Sequence, residues 1–210
     1  MKRHMITGGG GIQLHLVETG NSRGRPMVFI HGLSQSGLAW TRQLNSELAD
    51  HYRLVAMDMR GHGLSDKPRE GYADSRLWAD DVRAVIQALN LDHPILCGWS
   101  YGPLVILDYV RLSSEDRYRM LGYSVSVPPY VRQALLSRSF DNDDLLPRLR
   151  KPVLITHGTD DAVVKSAVIE QQMTRIAGAR IRMMANAGHA CFWDTAAAYN
   201  RCLQEFAEAL

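Results

Sequence analysis

Gly98-Trp99-Ser100-Tyr101-Gly102 sets a serine between two glycines, after the apolar run Pro94-Ile95-Leu96-Cys97 and before the helix-like run that starts at Pro103. Strand, sharp turn, helix is the setting in which Gly-x-Ser-x-Gly holds a serine in a strained backbone with its hydroxyl exposed. A side chain at either flanking glycine would crowd the strand–helix crossing. Such a serine becomes a nucleophile only beside a general base, and the base needs an acid to orient it. Both follow downstream. Thr156-His157-Gly158-Thr159-Asp160-Asp161 begins at the end of one apolar run, and Ala187-Gly188-His189-Ala190 follows the last one. The chain order serine, acid, histidine belongs to one hydrolase architecture and not to the other serine-protease folds. Ser100 is therefore the candidate nucleophile and His189 the candidate base, with Asp160 or Asp161 as the acid.

Acyl transfer also needs two N–H donors for the oxyanion. One is the backbone of Tyr101, the residue after the serine. The other is expected from the loop after an early strand, His31-Gly32-Leu33-Ser34, and we assign it to Leu33. Trp99 and Phe192 are candidate pocket walls, each with core packing as the alternative reading. His31, His62 and His157 read as structural residues at strand ends and in a loop.

The elements that must position these groups are legible as short apolar segments separated by helical patterns. Residues 26–30, 53–57, 95–98, 152–156 and 179–184 read as strands, and residues 12–18 alternate like a half-exposed edge strand. Residues 36–48, 74–89, 101–112, 131–140, 164–176 and 190–210 read as helices. The alternation predicts an α/β chain with a mostly parallel sheet and helices on both faces, with its site beyond the C-terminal ends of the strands.

Composition fits this class. The 210 residues are 46% hydrophobic and 22% charged with a net charge of +2, which gives no basis for nucleic acid or an anionic membrane as partner. No apolar run reaches the ~20 residues of a membrane helix. The basic start Met1-Lys2-Arg3-His4-Met5 leads into glycines rather than an apolar stretch, so no signal peptide is expected. Cys97, Cys191 and Cys202 lack metal-type spacing and read as reduced thiols of a cytoplasmic protein.

The series His31-Gly32-Leu33, Asp58-Met59-Arg60-Gly61-His62-Gly63-Leu64-Ser65-Asp66, Gly98-Trp99-Ser100-Tyr101-Gly102, His157-Gly158-Thr159-Asp160-Asp161 and Gly188-His189 resembles the landmarks of the α/β-hydrolase superfamily across nearly the whole chain. Within it the chain most resembles small bacterial carboxylesterases and arylesterases, a group that includes haloperoxidase-like enzymes and some acyl-homoserine lactonases. The resemblance implies an α/β-hydrolase fold and places the acid on Asp161, the fourth residue of Gly-x-x-Asp. Pro103 departs from the family's frequent second glycine.

The resemblance also exposes a gap. The family has a further strand and a helical cap after the elbow helix, whereas residues 113–150 here contain no convincing buried strand. Residues 122–133 resemble a cap tail. The expectation is one domain over 1–210, with 113–150 a remnant of a cap or connecting region, and the cap either reduced or absent from this sequence. The implied activity is hydrolysis of carboxylic esters through an acyl-enzyme on Ser100, in a monomer or homodimer that uses a small-molecule substrate and no metal or organic cofactor. The rival readings are a lactone hydrolase with the same triad and a non-catalytic binding protein or inactive truncated form.

Overall fold

In the computed structural model, residues 1–112, 129–138, 142 and 144–210 are described. Of the expected remnant at 113–150, residues 113–128, 139–141 and 143 lie outside the described residues. The chain divides into two units, residues 1–140 and 141–210.

In the first unit, β1 (Lys2–Thr7) runs antiparallel to β2 (Gln13–Gly20) in the register Lys2↔Glu18 to Thr7↔Gln13. Next come β3 (Pro26–Ile30), the short helices α1 (Thr41–Leu44) and α2 (Leu48–His51), and β4 (Arg53–Met57). Helix α3 (Ser75–Ala88), β5 (Ile95–Gly98), α4 (Gly102–Leu112) and α5 (Pro129–Leu136) complete the unit. The sheet order is β1-β2-β4-β3-β5. Strand β3 is parallel to both β4 and β5, and β2 is antiparallel to β4. The sheet is thus mixed, with its parallel part where the site loops emerge.

Residues 12–18 were expected at an edge, but β2 lies inside the sheet. The edge is β1, whose charged and exposed residues hid it: its His4 Nε2 and Arg53 Nε of β4 each reach a different oxygen of Glu18, at 2.7 and 2.8 Å. All five residues of β3 are buried, as expected of a central parallel strand.

Residues 36–48 do not form one helix. A 3-10 turn over Gly37–Trp40 leads into α1, which stops where the Asn45 side-chain amide and the Ser46 hydroxyl donate to the carbonyls of Thr41 and Gln43. Such side-chain bonds to backbone compete with helix continuation. By contrast α3 forms as expected. The Asp74 carboxylate caps it by accepting the Arg76 N–H at 2.9 Å. Its apolar stripe Trp78, Val82 and Val85 is fully buried, at about 2 kcal/mol of burial per side chain. Asp81 on the same helix forms a buried bidentate pair with Arg60, at 2.7 and 2.8 Å. The Arg60 guanidinium also donates to the Gly9 carbonyl at 2.9 Å, tying the N-terminal loop to α3.

In the second unit, β6 (Leu154–Gly158) is parallel to β7 (Arg180–Met184), with α6 (Ser166–Arg175) connecting them. Two helices follow, α7 (Cys191–Asp194) and α8 (Ala196–Glu208). The single helix expected over 190–210 is broken at Thr195, whose hydroxyl donates to the Cys191 carbonyl at 2.8 Å. All three cysteines are buried and unbonded to each other. Among the described residues no helix is long and apolar enough to cross a membrane.

Candidate active site

The serine turn is built by close packing. Residues from Ile95 to Trp99 are buried, as are Tyr101 and Gly102, yet Ser100 between them is exposed. Its φ is +53°, a left-handed conformation that costs a non-glycine residue about 1–3 kcal/mol and persists only where the surroundings enforce it. The enforcing contacts are backbone ones. The Trp99 N–H donates to the Ile30 carbonyl at the end of β3 (3.1 Å), and the Gly102 N–H donates to the Trp99 carbonyl (2.7 Å). Neither glycine of the turn can be replaced without displacement. A Cβ at Gly102 would lie 2.3 Å from the Ile30 oxygen, and one at Gly98 would lie 2.7 Å from the Gly102 carbonyl carbon.

Strands β3 and β4 are parallel to β5, so their C-terminal loops emerge at the same sheet edge as the serine turn. The loop after β3 carries Leu33. Among the described residues its N–H makes no hydrogen bond. Two histidines brace that loop. His31 donates from Nδ1 to the Gly32 carbonyl (2.8 Å) and accepts the Met59 N–H at Nε2 (3.0 Å). His62 donates from Nδ1 to the Arg60 carbonyl (2.8 Å) and accepts the Ser34 N–H at Nε2 (3.2 Å). Each ring therefore has one donor and one acceptor nitrogen and is neutral. Burial pushes His62 down to about 4, against the pull of its bond to Arg60. Burial, and then the neighbouring His62, push His31 well below the usual histidine range.

Asp58, at the end of β4, is a hub that site reading from sequence passed over. Its Oδ1 accepts the Gly37 N–H at 2.6 Å, and its Oδ2 accepts the Leu64 N–H and His15 Nδ1 at 2.8 and 2.9 Å. The signal available was its position, an acid at the mouth of a strand buried from Leu54 to Met57.

In the second unit the acid and the histidine come from loops at the C-terminal ends of β6 and β7. Gly158 closes β6 against the histidine loop, since a Cβ there would meet the Ala187 and Gly188 oxygens at 2.2 Å. The Thr159 and Asp160 N–H groups donate to the carbonyls of Met184 and Ala187 at 3.0 and 2.9 Å, pinning the two loops together. Asp161 Oδ1 accepts the Val163 and Val164 N–H groups at 2.8 and 2.9 Å. Its Oδ2 accepts His189 Nδ1–H at 2.9 Å. Burial works to raise the Asp161 carboxyl, but these three hydrogen bonds, led by that of His189, outweigh it and hold the group below the usual carboxylate range. Asp160 is exposed and interacts instead with the Thr159 hydroxyl at 3.0 Å. His157 Nδ1 lies 3.7 Å from Asp161 Oδ2, beyond hydrogen-bond distance.

Trp99, within the serine turn, is buried. Phe192 is fully buried with its ring centroid 5.9 Å from that of Tyr199, so its side chain packs in the core of the second unit. Among the described residues no group of three or more histidine, cysteine or acidic side chains is arranged to hold a metal ion.

A serine turn at the carboxyl edge of a parallel sheet and a histidine–aspartate pair after later strands are the parts of an α/β-hydrolase. The family model for the alpha/beta hydrolase fold matches residues 25–121, and the chain has the α/β-hydrolase fold. An esterase from Rhodococcus sp. ECU1013, RhEst1, superposes with a TM-score of 0.93 over 100% of both chains at 29% identity. A Bacillus subtilis AB hydrolase superfamily protein, YisY, is 35% identical over 52% of this chain and 41% of its own length. A non-heme chloroperoxidase from Streptomyces lividans is 33% identical over 68% of this chain and 49% of its own. The chain thus spans less than half the length of these two curated relatives.

Proposed function

We propose that this protein is a serine hydrolase of carboxylic esters, with both units contributing to one α/β-hydrolase domain. The observation that carries the reading is Ser100, exposed and held at φ +53° in an otherwise buried turn. The hydrogen bond between His189 Nδ1 and Asp161 supports it, because it leaves Nε2 as the basic nitrogen. The overall likeness to an esterase at 29% identity supports the ester as substrate.

In this mechanism His189 Nε2 takes the Ser100 proton as Oγ attacks the acyl carbonyl. The Leu33 and Tyr101 N–H groups receive the oxyanion, one such donor being worth roughly 3–4 kcal/mol of the barrier. Asp161 keeps His189 in the Nδ1–H tautomer and stabilises the imidazolium. The alcohol leaves with the proton held on His189, giving the Ser100 ester. Water then attacks, its proton passing to His189, and Ser100 recovers its proton as the acid departs. The neutral His31 and His62 hold the Leu33 loop without competing for that proton. No metal or organic cofactor enters these steps, and cytoplasmic action on a small molecule fits them.

Turnover of p-nitrophenyl acetate and butyrate, set against a long-chain acyl-homoserine lactone, tests the substrate class with Ser100→Ala as control. Faster, Ser100-dependent turnover of the esters is expected. Preference for the lactone would transfer the same triad to ring opening, and no Ser100-dependent turnover of either would favour a binding protein.

A further inference from the structure

We propose that Arg138 is a positioning residue for the serine turn, acting through the side chain of Tyr101; this rests on the reading of Ser100 as nucleophile. Tyr101 follows Ser100 directly, and its backbone N–H is the proposed oxyanion donor. Its ring turns inward, 93% buried, with its centroid 5.7 Å from that of Trp78. Its carbonyl accepts the Leu104 N–H at 3.0 Å and so opens the first turn of α4. Where the Tyr101 side chain is fastened therefore helps decide where that N–H points.

The fastener comes from beyond α5. Arg138 Nη1 donates to the Tyr101 hydroxyl at 2.8 Å, and Nη2 donates to Asp108 Oδ2 at 2.8 Å and to Ser75 Oγ at 3.0 Å. Tyr101 and Asp108 are seven residues apart, two helical turns, and so share one face of α4. One guanidinium thus bridges the start and middle of the helix that carries the turn and ties both to the first residue of α3. The Arg138 side chain is only 3% exposed, and its guanidinium carbon stands 5.3 Å from the Trp78 ring centroid and 5.8 Å from that of Tyr101. Val131 and Leu135 of α5 are buried in the same core, which anchors the segment that delivers Arg138.

The arrangement depends on a fork. A lysine would restore the charge facing Asp108 but, as a point charge, could not hold Tyr101, Asp108 and Ser75 in one plane. The Tyr101 hydroxyl can be removed separately, leaving the Arg138–Asp108 pair intact.

The test is steady-state hydrolysis of p-nitrophenyl butyrate by Tyr101→Phe, Arg138→Lys and Arg138→Met, each assayed well below its own Tm, with Ser100→Ala as control. Tyr101→Phe and Arg138→Lys are expected to lose about tenfold or more in kcat with KM changed less than about twofold, because a displaced donor weakens the transition state and not substrate binding. Arg138→Met is expected to lower Tm as well, and if it fails to fold the other two variants decide. Wild-type kcat in Tyr101→Phe and Arg138→Lys, or a kcat that only tracks Tm across the series, would overturn the proposal. Wild-type turnover that survives in Ser100→Ala would instead overturn the nucleophile reading, and this inference with it.

Discussion

His189 Nδ1 and Asp161 Oδ2 are joined by a 2.9 Å hydrogen bond, while the other oxygen of the same carboxylate is occupied by the Val163 and Val164 N–H groups. The carboxylate thus faces the imidazole in one orientation, and Asp160 beside it is turned to solvent. Asp161→Asn keeps the shape but loses the charge and the tautomer control, so kcat for an ester should fall by roughly 10⁴. Asp160→Asn should leave kcat within about twofold, on the usual smallness of exposed substitutions. Steady-state kinetics with circular dichroism as a folding check measure both.

The glycine after the serine turn is set by the end of β3. In Gly102→Ala the new methyl would sit 2.3 Å from the Ile30 carbonyl oxygen, a backbone atom that cannot rotate away. A loss of about 1–3 kcal/mol or more is expected from this overpacking, read as a lowered urea midpoint at unchanged m-value.

Acid should weaken the fold through the two bracing histidines. An unfolded histidine titrates near 6.5, whereas His62 in the fold is pushed down to about 4 and His31 is also lowered. Between these values the unfolded chain binds protons that the folded one does not, so stability is present above pH 6.5 and is lost as pH falls toward 4. The His62 part is about 3 kcal/mol. The advantage of the wild type over His62→Gln in unfolding free energy, measured at matched pH from 7 to 4, should shrink by about this amount as pH falls, because the carboxylates, including Asp81 raised to about 6, titrate alike in both chains.

A shortened middle should show in selectivity. Only residues 113–153 lie between the end of α4 and the start of β6, which leaves little chain for a cap that encloses an acyl group. Specificity constants for p-nitrophenyl acetate, butyrate and octanoate should therefore fall within about tenfold of one another, where an enclosing pocket distinguishes each methylene by about 1–3 kcal/mol. Steep dependence on chain length would contradict a reduced cap.

The parts of the fold that sequence made legible are those fixed by local pattern. The buried strands β3, β4 and β5 coincide with their apolar runs, and α3 begins at its Asp74 cap. Strand β1 escaped because Lys2, Arg3 and His4 read as a basic tail, while its pairing depends on a distant partner, β2. The breaks at Asn45 and Thr195 depend on side chains bonding to nearby carbonyls, which apolar spacing does not register. At the site, serine, histidine and acid candidates carried a motif and a chain order. Arg138 carried neither. Its place beside Tyr101 depends on α5 burying Val131 and Leu135 in the core of the first unit, a tertiary relationship without a local signal.

Ser100 is proposed as an activated nucleophile. Reaction with a fluorophosphonate, followed by peptide mass spectrometry, tests it most directly. Stoichiometric phosphonylation of the peptide bearing Ser100 is expected, abolished in Ser100→Ala and strongly slowed in His189→Ala. Absence of labelling in the folded wild-type chain, or labelling that persists at another residue in Ser100→Ala, would contradict it.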